Sequence, residues 1–168
     1  MADKFLLTET LDSKQDPSIS ATAEDVPAAG GDTDTVRRRD GSTDSGPLKV
    51  MVVDDSQTIR RSASSLLQKE GFDVITAEDG FDALAKVVSV RPDIVFADVS
   101  MPRLDGYQTC ALIKNNPGFR HIPVVMLSSK DSIFDKARGR LVGSENYLTK
   151  PFTRVDLVRA VKRHTGTR

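Results

Sequence analysis

Two kinds of segment alternate along the chain from residue 48 onward. Short runs rich in β-branched residues predict strands, and they occupy residues 48–53, 72–76, 93–97, 122–127 and 145–149. After each run, apolar residues recur at helical spacing or a helix-capping pattern appears, which predicts five helices. The apolar faces predicted for the first, second and fourth helices are Ile59, Ala63, Leu66 and Leu67; Phe81, Leu84, Ala85 and Val88; and Phe134, Ala137 and Leu141.

A strand followed by a helix thus occurs five times within about 120 residues. Because the strand segments are apolar throughout and do not alternate with polar residues, they indicate a parallel sheet buried on both faces. Right-handed crossovers then place helices on both sides, which gives an open, doubly wound α/β sheet of five strands. In such sheets ligands bind outside the carboxyl ends of the strands.

Residues 1–47 have a different composition from the rest of the chain. They carry ten acidic and five basic side chains, a net charge of −5, whereas residues 48–168 carry fourteen acidic and nineteen basic, a net of +5. With hardly an aliphatic residue between positions 12 and 47, we expect a disordered N-terminal extension over 1–47 and one domain over 48–168. The apolar triplet Phe5-Leu6-Leu7 could dock on a partner or start a short helix, or it could be part of an unstructured terminus.

The overall composition argues against several classes of protein. Lys and Arg together equal Asp and Glu at 24 each, so overall charge predicts neither a nucleic acid nor a membrane surface as partner. Cys110 is the only cysteine, which rules out an intrachain disulfide. No apolar run approaches the length of a membrane span, and the first residues make a poor signal peptide, so we expect a cytoplasmic protein without membrane insertion.

Charged and hydroxyl side chains follow four of the five predicted strands, and only the second strand lacks one. They are Asp54-Asp55, Asp98, Ser128-Ser129 and Lys150. Because the carboxyl ends of parallel strands share one edge of the sheet, we expect these groups to converge. Three carboxylates and one lysine leave a net charge of −2, which a divalent cation would cancel. Oxygen ligands with no nearby His or Cys favour Mg²⁺ over zinc, and the set suits phosphoryl transfer with Asp98 as the nucleophile.

Four motifs then carry a resemblance to a known family. "VMVVDDS", "FADVSMPRLDG", "VVMLSS" and "YLTKPF" resemble, in order and spacing, the motifs of response-regulator receiver domains of two-component signalling, over residues 48–165. "DGYQTCALIKNNP" and "IFDKARGRLVGSENYLTKPF" further resemble the twitching-motility regulators of type IV pilus chemosensory systems. The family resemblance implies a flavodoxin-like (βα)5 fold with strand order 2-1-3-4-5.

The same resemblance assigns roles to the residues at the strand ends. Asp98 would accept a phosphoryl group from a kinase histidine. Asp55, Asp98 and the backbone carbonyl of Ser100 would ligate Mg²⁺, and Asp54 would hold metal-bound water.

Other roles concern the response to phosphorylation. Ser128 and Lys150 would grip the phosphoryl oxygens, and Tyr147 would rotate inward when Ser128 moves. The Lys150-Pro151 peptide bond would be cis.

The resemblance implies a stand-alone response regulator that signals by protein contact. Its partners would be a chemotaxis-type sensor histidine kinase and a downstream motility or pilus-machinery protein, and it would catalyse only its own phosphorylation and dephosphorylation. Only four residues follow His164, so we expect no DNA-binding effector after this domain. The alternatives are a hydrolase with an aspartyl-phosphate intermediate, which would usually need an acid where Ser100 stands, a flavin-binding domain of the same topology, and a receiver-like docking module that is not phosphorylated.

Overall fold

The computed structural model describes residues 46–129 and 133–166, so almost all of the predicted N-terminal extension lies outside the described residues. The strands are β1 (Lys49–Val53), β2 (Asp73–Ala77), β3 (Ile94–Asp98), β4 (Val124–Ser128) and β5 (Asn146–Thr149). The helices are α1 (Gln57–Gln68), α2 (Gly80–Val90), α3 (Gly106–Asn115), α4 (Ile133–Leu141) and α5 (Arg154–Thr165). No helix in these two ranges is long and apolar enough to cross a membrane.

The five strands form one parallel sheet in the order β2-β1-β3-β4-β5, which confirms the expected fold and strand order. β3 lies between β1 and β4, with Ala97 paired to Val53 and Asp98 paired to Leu127. Ser128, the last residue of β4, pairs with Thr149 of β5. The carboxyl ends of β1, β3, β4 and β5 are therefore neighbours along one edge.

Alternate residues of the strands supply two separate cores, because successive side chains of a strand point to opposite faces. One face packs with α1 and α5, and its buried residues include Val52, Phe96 and Leu157. The other face packs mainly with α2 and α3 and includes Met51 and Val95. Both faces are covered, as the uninterrupted apolar strands predicted.

The predicted apolar face of α2 is confirmed only at Leu84, which is partly buried and packs against the core, and it is wrong at the other three positions. Phe81 and Val88 are 55% and 60% exposed, and Ala85 is also exposed. The buried residues of α2 are instead Gly80, Ala83 and Val87. Small side chains face inward because the helix packs closely: a Cβ atom at Gly80 would overlap the side chains of Thr109 and Leu104.

The predicted face of α4 is wrong for the same physical reason. Phe134 and Leu141 are each 87% exposed, and Ala137 is exposed as well. The buried residue of α4 is Gly139, where a Cβ atom would lie 2.8 Å from the Ser144 Oγ. A glycine allows α4 to approach the sheet edge, but it gives no hydrophobic signal in the sequence.

Two local features after β5 agree with the predictions. The peptide bond between Lys150 and Pro151 is cis. Thr153 and Asp156 form a capping box at the start of α5, in which the Thr153 backbone N–H donates to Asp156 Oδ2 at 2.9 Å. These features fix how the chain leaves the sheet edge at Lys150.

Candidate functional site

Three carboxylates meet at the carboxyl ends of β1 and β3. Asp54 and Asp55 directly follow β1, and Asp98 is the last residue of β3. One oxygen from each of the three lies within 4.8 Å of the others. Asp54 is fully buried and Asp98 is 5% exposed, whereas Asp55 faces solvent. The strand order thus brings together carboxylates that are up to 44 residues apart in the sequence (98 − 54).

Lys150 enters the same cluster from the end of β5. Its ammonium group donates hydrogen bonds to Asp54 Oδ2 at 2.5 Å and to Asp98 Oδ1 at 2.9 Å. Its backbone N–H donates to the Ser128 carbonyl at 2.6 Å. Lys150 therefore contacts two of the carboxylates and is tied to the end of β4.

Hydrogen bonds and close packing fix the chain around the two buried aspartates. Asp54 Oδ1 accepts a hydrogen bond from the Ser56 backbone N–H at 2.8 Å, and the Arg60 guanidinium donates to the Asp54 carbonyl at 2.6 Å. Behind Asp98, the Gly106 N–H donates to the Val99 carbonyl at 3.2 Å. A Cβ atom at position 106 would overlap the Asp98 carbonyl, so only glycine fits the start of α3 at this point.

The electrostatics of the cluster show an excess of negative charge. Burial, together with the charges of Asp54 and Asp55, raises the pKa of Asp98 even though Lys150 opposes the shift. Burial alone would lower the pKa of Lys150, but its hydrogen bonds to Asp54 and Asp98 outweigh that effect and raise it. Both groups thus hold protons more tightly than usual, Asp98 mainly because it is buried and Lys150 because it donates to two carboxylates.

This donor set fits a magnesium ion. Two buried carboxylates and one exposed carboxylate offer hard oxygen ligands on an open side of the protein, where waters can complete an octahedral shell. Within residues 46–129 and 133–166, these three aspartates are the one group of three or more acidic, His or Cys side chains that lie close enough to share a metal ion. A divalent cation would offset the net negative charge of three carboxylates beside one ammonium group.

The remaining predicted residues lie beside the cluster. Ser128 is 5% exposed at the end of β4, and Ser100 is exposed in the loop that follows β3. Both line a cavity of about 340 Å³ between that loop and α4. Tyr147 is half-buried on β5, paired with Met126 and packed against the core on the α2–α3 side.

Sequence reasoning missed the role of Tyr107, which it placed only within the third helix. Tyr107 is 2% exposed on α3, and its hydroxyl donates to the Asp135 carbonyl of α4 at 3.2 Å. The Arg138 guanidinium lies 4.4 Å from the centre of its ring. Burial raises the pKa of Tyr107, with further contributions from Tyr147 and Asp135. Tyr107 therefore connects α4 to the predicted switch residue, a contact that no sequence spacing reveals.

Sequence reasoning also overlooked Asp79, which follows the second strand. Asp79 is 6% exposed and caps α2 by accepting a hydrogen bond from the Asp82 N–H at 2.9 Å. That hydrogen bond is the largest cause lowering the pKa of Asp79. Asp79 also forms an ion pair with Arg103, whose guanidinium lies 5.7 Å from the Phe81 ring centre. Asp79 does not join the carboxylate cluster; it holds the loop that leaves Asp98.

The chain is similar in sequence to a known family of signalling domains. The model of the response regulator receiver domain matches residues 50–162, which is more than half of the chain. The chain belongs to this family. As a receiver domain it is a signalling module rather than a classical enzyme, and the predicted family membership is confirmed.

Two curated relatives illustrate the range of similarity. Protein PilG of Pseudomonas aeruginosa is 67% identical over 117 residues, which cover 70% of this chain and 87% of PilG. The alkaline phosphatase synthesis transcriptional regulatory protein PhoP of Bacillus subtilis is 40% identical over 105 residues, 62% of this chain but only 43% of PhoP. The similarity to PilG agrees with the resemblance to the twitching-motility regulators.

Solved structures of receiver domains share the fold. The chemotaxis protein CheY4 of Vibrio cholerae is 36% identical with a TM-score of 0.68, covering 70% of this chain and 98% of CheY4. The receiver domain of the sensor histidine kinase PA1611 from Pseudomonas aeruginosa is 26% identical with a TM-score of 0.67, covering 73% of this chain and all of that domain. The PA1611 structure has a magnesium ion coordinated in its active site cleft.

Proposed function

We propose that this chain is a response regulator in which Asp98 accepts a phosphoryl group in a Mg²⁺-dependent reaction. The observation that carries the proposal is the grouping of Asp98 with Asp54, Asp55 and Lys150 at one edge of the sheet. Burying a carboxylate among like charges makes the folded state less stable. Such a group of carboxylates therefore indicates a reactive site. The donor is the phosphorylated histidine of a sensor kinase of the chemotaxis type.

The transfer is a displacement at phosphorus. A carboxylate oxygen of Asp98 forms the new P–O bond while the P–N bond to the kinase histidine breaks, and the released imidazole nitrogen takes a proton. Lys150, already 2.9 Å from Asp98, donates hydrogen bonds to the oxygens of the arriving group. Asp55, Asp98 and the Ser100 carbonyl would hold Mg²⁺, with Asp54 on a bound water, and the ion would neutralise charge on the phosphoryl oxygens.

The signal leaves the site through the ends of β4 and β5. The Ser128 hydroxyl donates a hydrogen bond to a phosphoryl oxygen. Because the Lys150 backbone N–H donates to the Ser128 carbonyl, the two residues move together. Tyr147 follows inward, and its neighbour Tyr107 passes the change to Asp135 of α4. The protein would exist in two arrangements of these residues, and phosphorylation shifts the equilibrium between them by the difference in how favourably the phosphoryl group interacts with each.

The biological setting follows from the resemblance to pilus-type regulators. The 67% identity to PilG supports control of type IV pili and twitching motility through a downstream motility or pilus-machinery protein. We place the protein in the cytoplasm, where a kinase would meet it, and assign it no nucleic-acid partner. The exposed Ser100, in place of an acid, argues against a hydrolase that releases phosphate in repeated turnover.

Intact-protein mass spectrometry after incubation with a small acyl-phosphate donor tests the proposal. We expect the gain of one phosphoryl group in the presence of Mg²⁺, and no gain when the ion is chelated or in the Asp98→Asn variant. Asp73→Asn is the matched control. Asp73 is exposed at the amino end of β2, whereas the carboxylate cluster lies at the carboxyl ends of the strands. Full labelling of Asp98→Asn would refute the assignment, and no labelling of the unaltered protein from either the donor or a kinase would leave a docking module.

A further inference from the structure

Two residues at the start of α2 hold the loop that connects β3 to α3. This loop, residues 99–105, begins directly after Asp98. Its Arg103 forms an ion pair with Asp79, the N-cap residue of α2. The Arg103 guanidinium also lies 5.7 Å from the centre of the Phe81 ring, within the range of a cation–π contact. We call Asp79 and Phe81 the α2 anchor.

Arg103 adopts a backbone conformation that depends on such support. Its φ of 68° lies in the left-handed region, which is unfavourable for a residue that carries a Cβ atom. Conformations of this kind persist where the surrounding contacts determine the structure. Asp79 is only 6% exposed, so its carboxylate is a fixed partner and not a mobile surface group. The next loop residue, Leu104, packs so closely on α2 that a Cβ atom at Gly80 would overlap its side chain.

The loop held by the α2 anchor also belongs to the carboxylate site. Ser100, whose carbonyl is the proposed third ligand of Mg²⁺, precedes Arg103 in this loop. The two ends of the loop are fixed, because the Val99 N–H donates to a carbonyl of β4 at 2.8 Å and Asp105 caps α3. Between these ends, Met101 is buried in the core and Arg103 is attached to α2. A ligand that is already in place binds an ion more tightly, because less conformational entropy is lost on binding.

We propose that the α2 anchor positions this loop for the metal: by holding Arg103, Asp79 and Phe81 fix the path of the chain at Ser100 and so raise the affinity of the site for Mg²⁺. The inference rests on the proposed function, because it concerns the ion of that site. Asp79 and Phe81 do not touch the ion, and they act through Arg103 as positioning residues. This contact gives the exposed phenylalanine on α2 a role outside the core.

Titration of the full chain with Mg²⁺, followed by the amide ¹H–¹⁵N shifts of residues 98–106, tests the proposal. Arg103→Asn removes both contacts, and asparagine tolerates the left-handed conformation. We expect the Kd for Mg²⁺ to rise about fivefold, in keeping with the modest strength of exposed ion pairs and cation–π contacts. Asp79→Asn should give a similar rise, although asparagine still caps α2. Arg103→Lys keeps the charge and should retain most of the affinity.

Phosphorylation at saturating Mg²⁺ separates positioning of the loop from a general structural role. The substitutions leave Asp98 and Lys150 unchanged, so we expect the rate of labelling by a small acyl-phosphate donor at saturating Mg²⁺ to equal that of the unaltered protein. The Mg²⁺ concentration that gives half of this rate should rise in parallel with the Kd. A lower rate at saturating Mg²⁺ would overturn the proposal, because Arg103 would then act on the reaction or on the fold.

Arg154→Ala is the matched control. It removes an ion pair between an exposed arginine and Glu70 on the opposite face of the sheet, so the Kd for Mg²⁺ should not change. An equal rise in this control, or an unchanged Kd in both Arg103→Asn and Asp79→Asn, would overturn the proposal while leaving the proposed function intact. An unaltered protein that binds no Mg²⁺ would refute the proposed function, and this inference with it.

Discussion

Two charged surfaces of this receiver domain differ in how the fold holds them. The carboxylate cluster of Asp54, Asp55 and Asp98 is mostly buried at the strand ends, and its lysine makes two short hydrogen bonds. Three cations on the outward face of α5, by contrast, are exposed and form no salt bridge within the described ranges; they are Arg159, Lys162 and Arg163. The cluster concentrates like charges where water is excluded, whereas α5 spreads them in solvent.

The difference in burial determines how strongly the charged side chains interact at each surface. Carboxylates about 5 Å apart repel by about 3 kcal/mol at an effective dielectric constant of about 20. Exposed pairs are worth about 0–1 kcal/mol and weaken with salt. The buried cluster therefore favours a divalent cation, whereas ion pairs formed on the exposed face of α5 would be weak and sensitive to salt. Substitutions at the two surfaces should differ in size accordingly.

The largest effect is expected for Gly106→Ala, behind the cluster. The new Cβ atom would overlap the Asp98 carbonyl, so β3 or α3 must shift. We expect a loss of about 4 kcal/mol in the free energy of unfolding, measured by urea denaturation, and loss of phosphorylation. Gly46→Ala is the control, since no atom lies within 4 Å of a Cβ there. Equal stability of the two variants would show that the packing behind Asp98 is not tight.

Lys150→Met should have the next largest effect. It leaves Asp54 and Asp98 buried without their cation, at a cost of about 3 kcal/mol in the absence of divalent ions. Because the net charge of the cluster becomes more negative, Mg²⁺ should raise the melting temperature of this variant more than that of the unaltered protein. Lys86→Met, which removes a partly exposed i,i+4 ion pair with Asp82, provides the comparison. An equally small loss of unfolding free energy in Lys150→Met and Lys86→Met would contradict this expectation.

Asp98→Asn should stabilise the metal-free protein by roughly 1 kcal/mol at neutral pH, since it removes like-charge repulsion but also one hydrogen bond from Lys150. The pKa of Asp98 is raised in the folded state, so folding free energy is lost as the pH rises through that pKa. The advantage of the variant should therefore vanish below the ordinary pKa range of aspartate. Thermal unfolding across the acid range checks this, and a variant less stable at neutral pH would refute it.

The smallest effect is expected for Lys162→Glu plus Arg163→Glu on α5. Both side chains are exposed and have no salt bridge in the described part of the chain, so the free energy of unfolding should change by at most about 0.5 kcal/mol. Urea denaturation in low and moderate salt measures the change. A loss comparable to that of Lys150→Met would erase the distinction between the two surfaces.

The convergence at the strand ends could be predicted because it depends on strand order alone. Once the strands are parallel and Asp98 follows a central one, residues at the ends of neighbouring strands must lie near it. The contacts of Tyr107 and Arg103 could not be predicted in this way. They depend on the rotation of a helix and the path of a loop, which side-chain packing decides.

The errors on α2 and α4 have one cause. The predicted faces put the largest apolar side chains, among them Phe81 and Phe134, toward the core. Close packing instead places Gly80 against Thr109 and Leu104, and Gly139 against Ser144 and Met126. The α1 prediction succeeded because Ala63 and Leu67, two of its predicted positions, are the buried residues of that helix.

Locating the phosphoryl group is the most direct test of the central claim. The labelled protein is reduced with borohydride, which converts an aspartyl phosphate to homoserine, and its peptides are sequenced by mass spectrometry. The account predicts homoserine at position 98 and at no other aspartate, in the presence of Mg²⁺. Homoserine at position 54 or 55, or a stable phosphate on Ser128, would contradict it, because the nucleophile would then be a different member of the cluster.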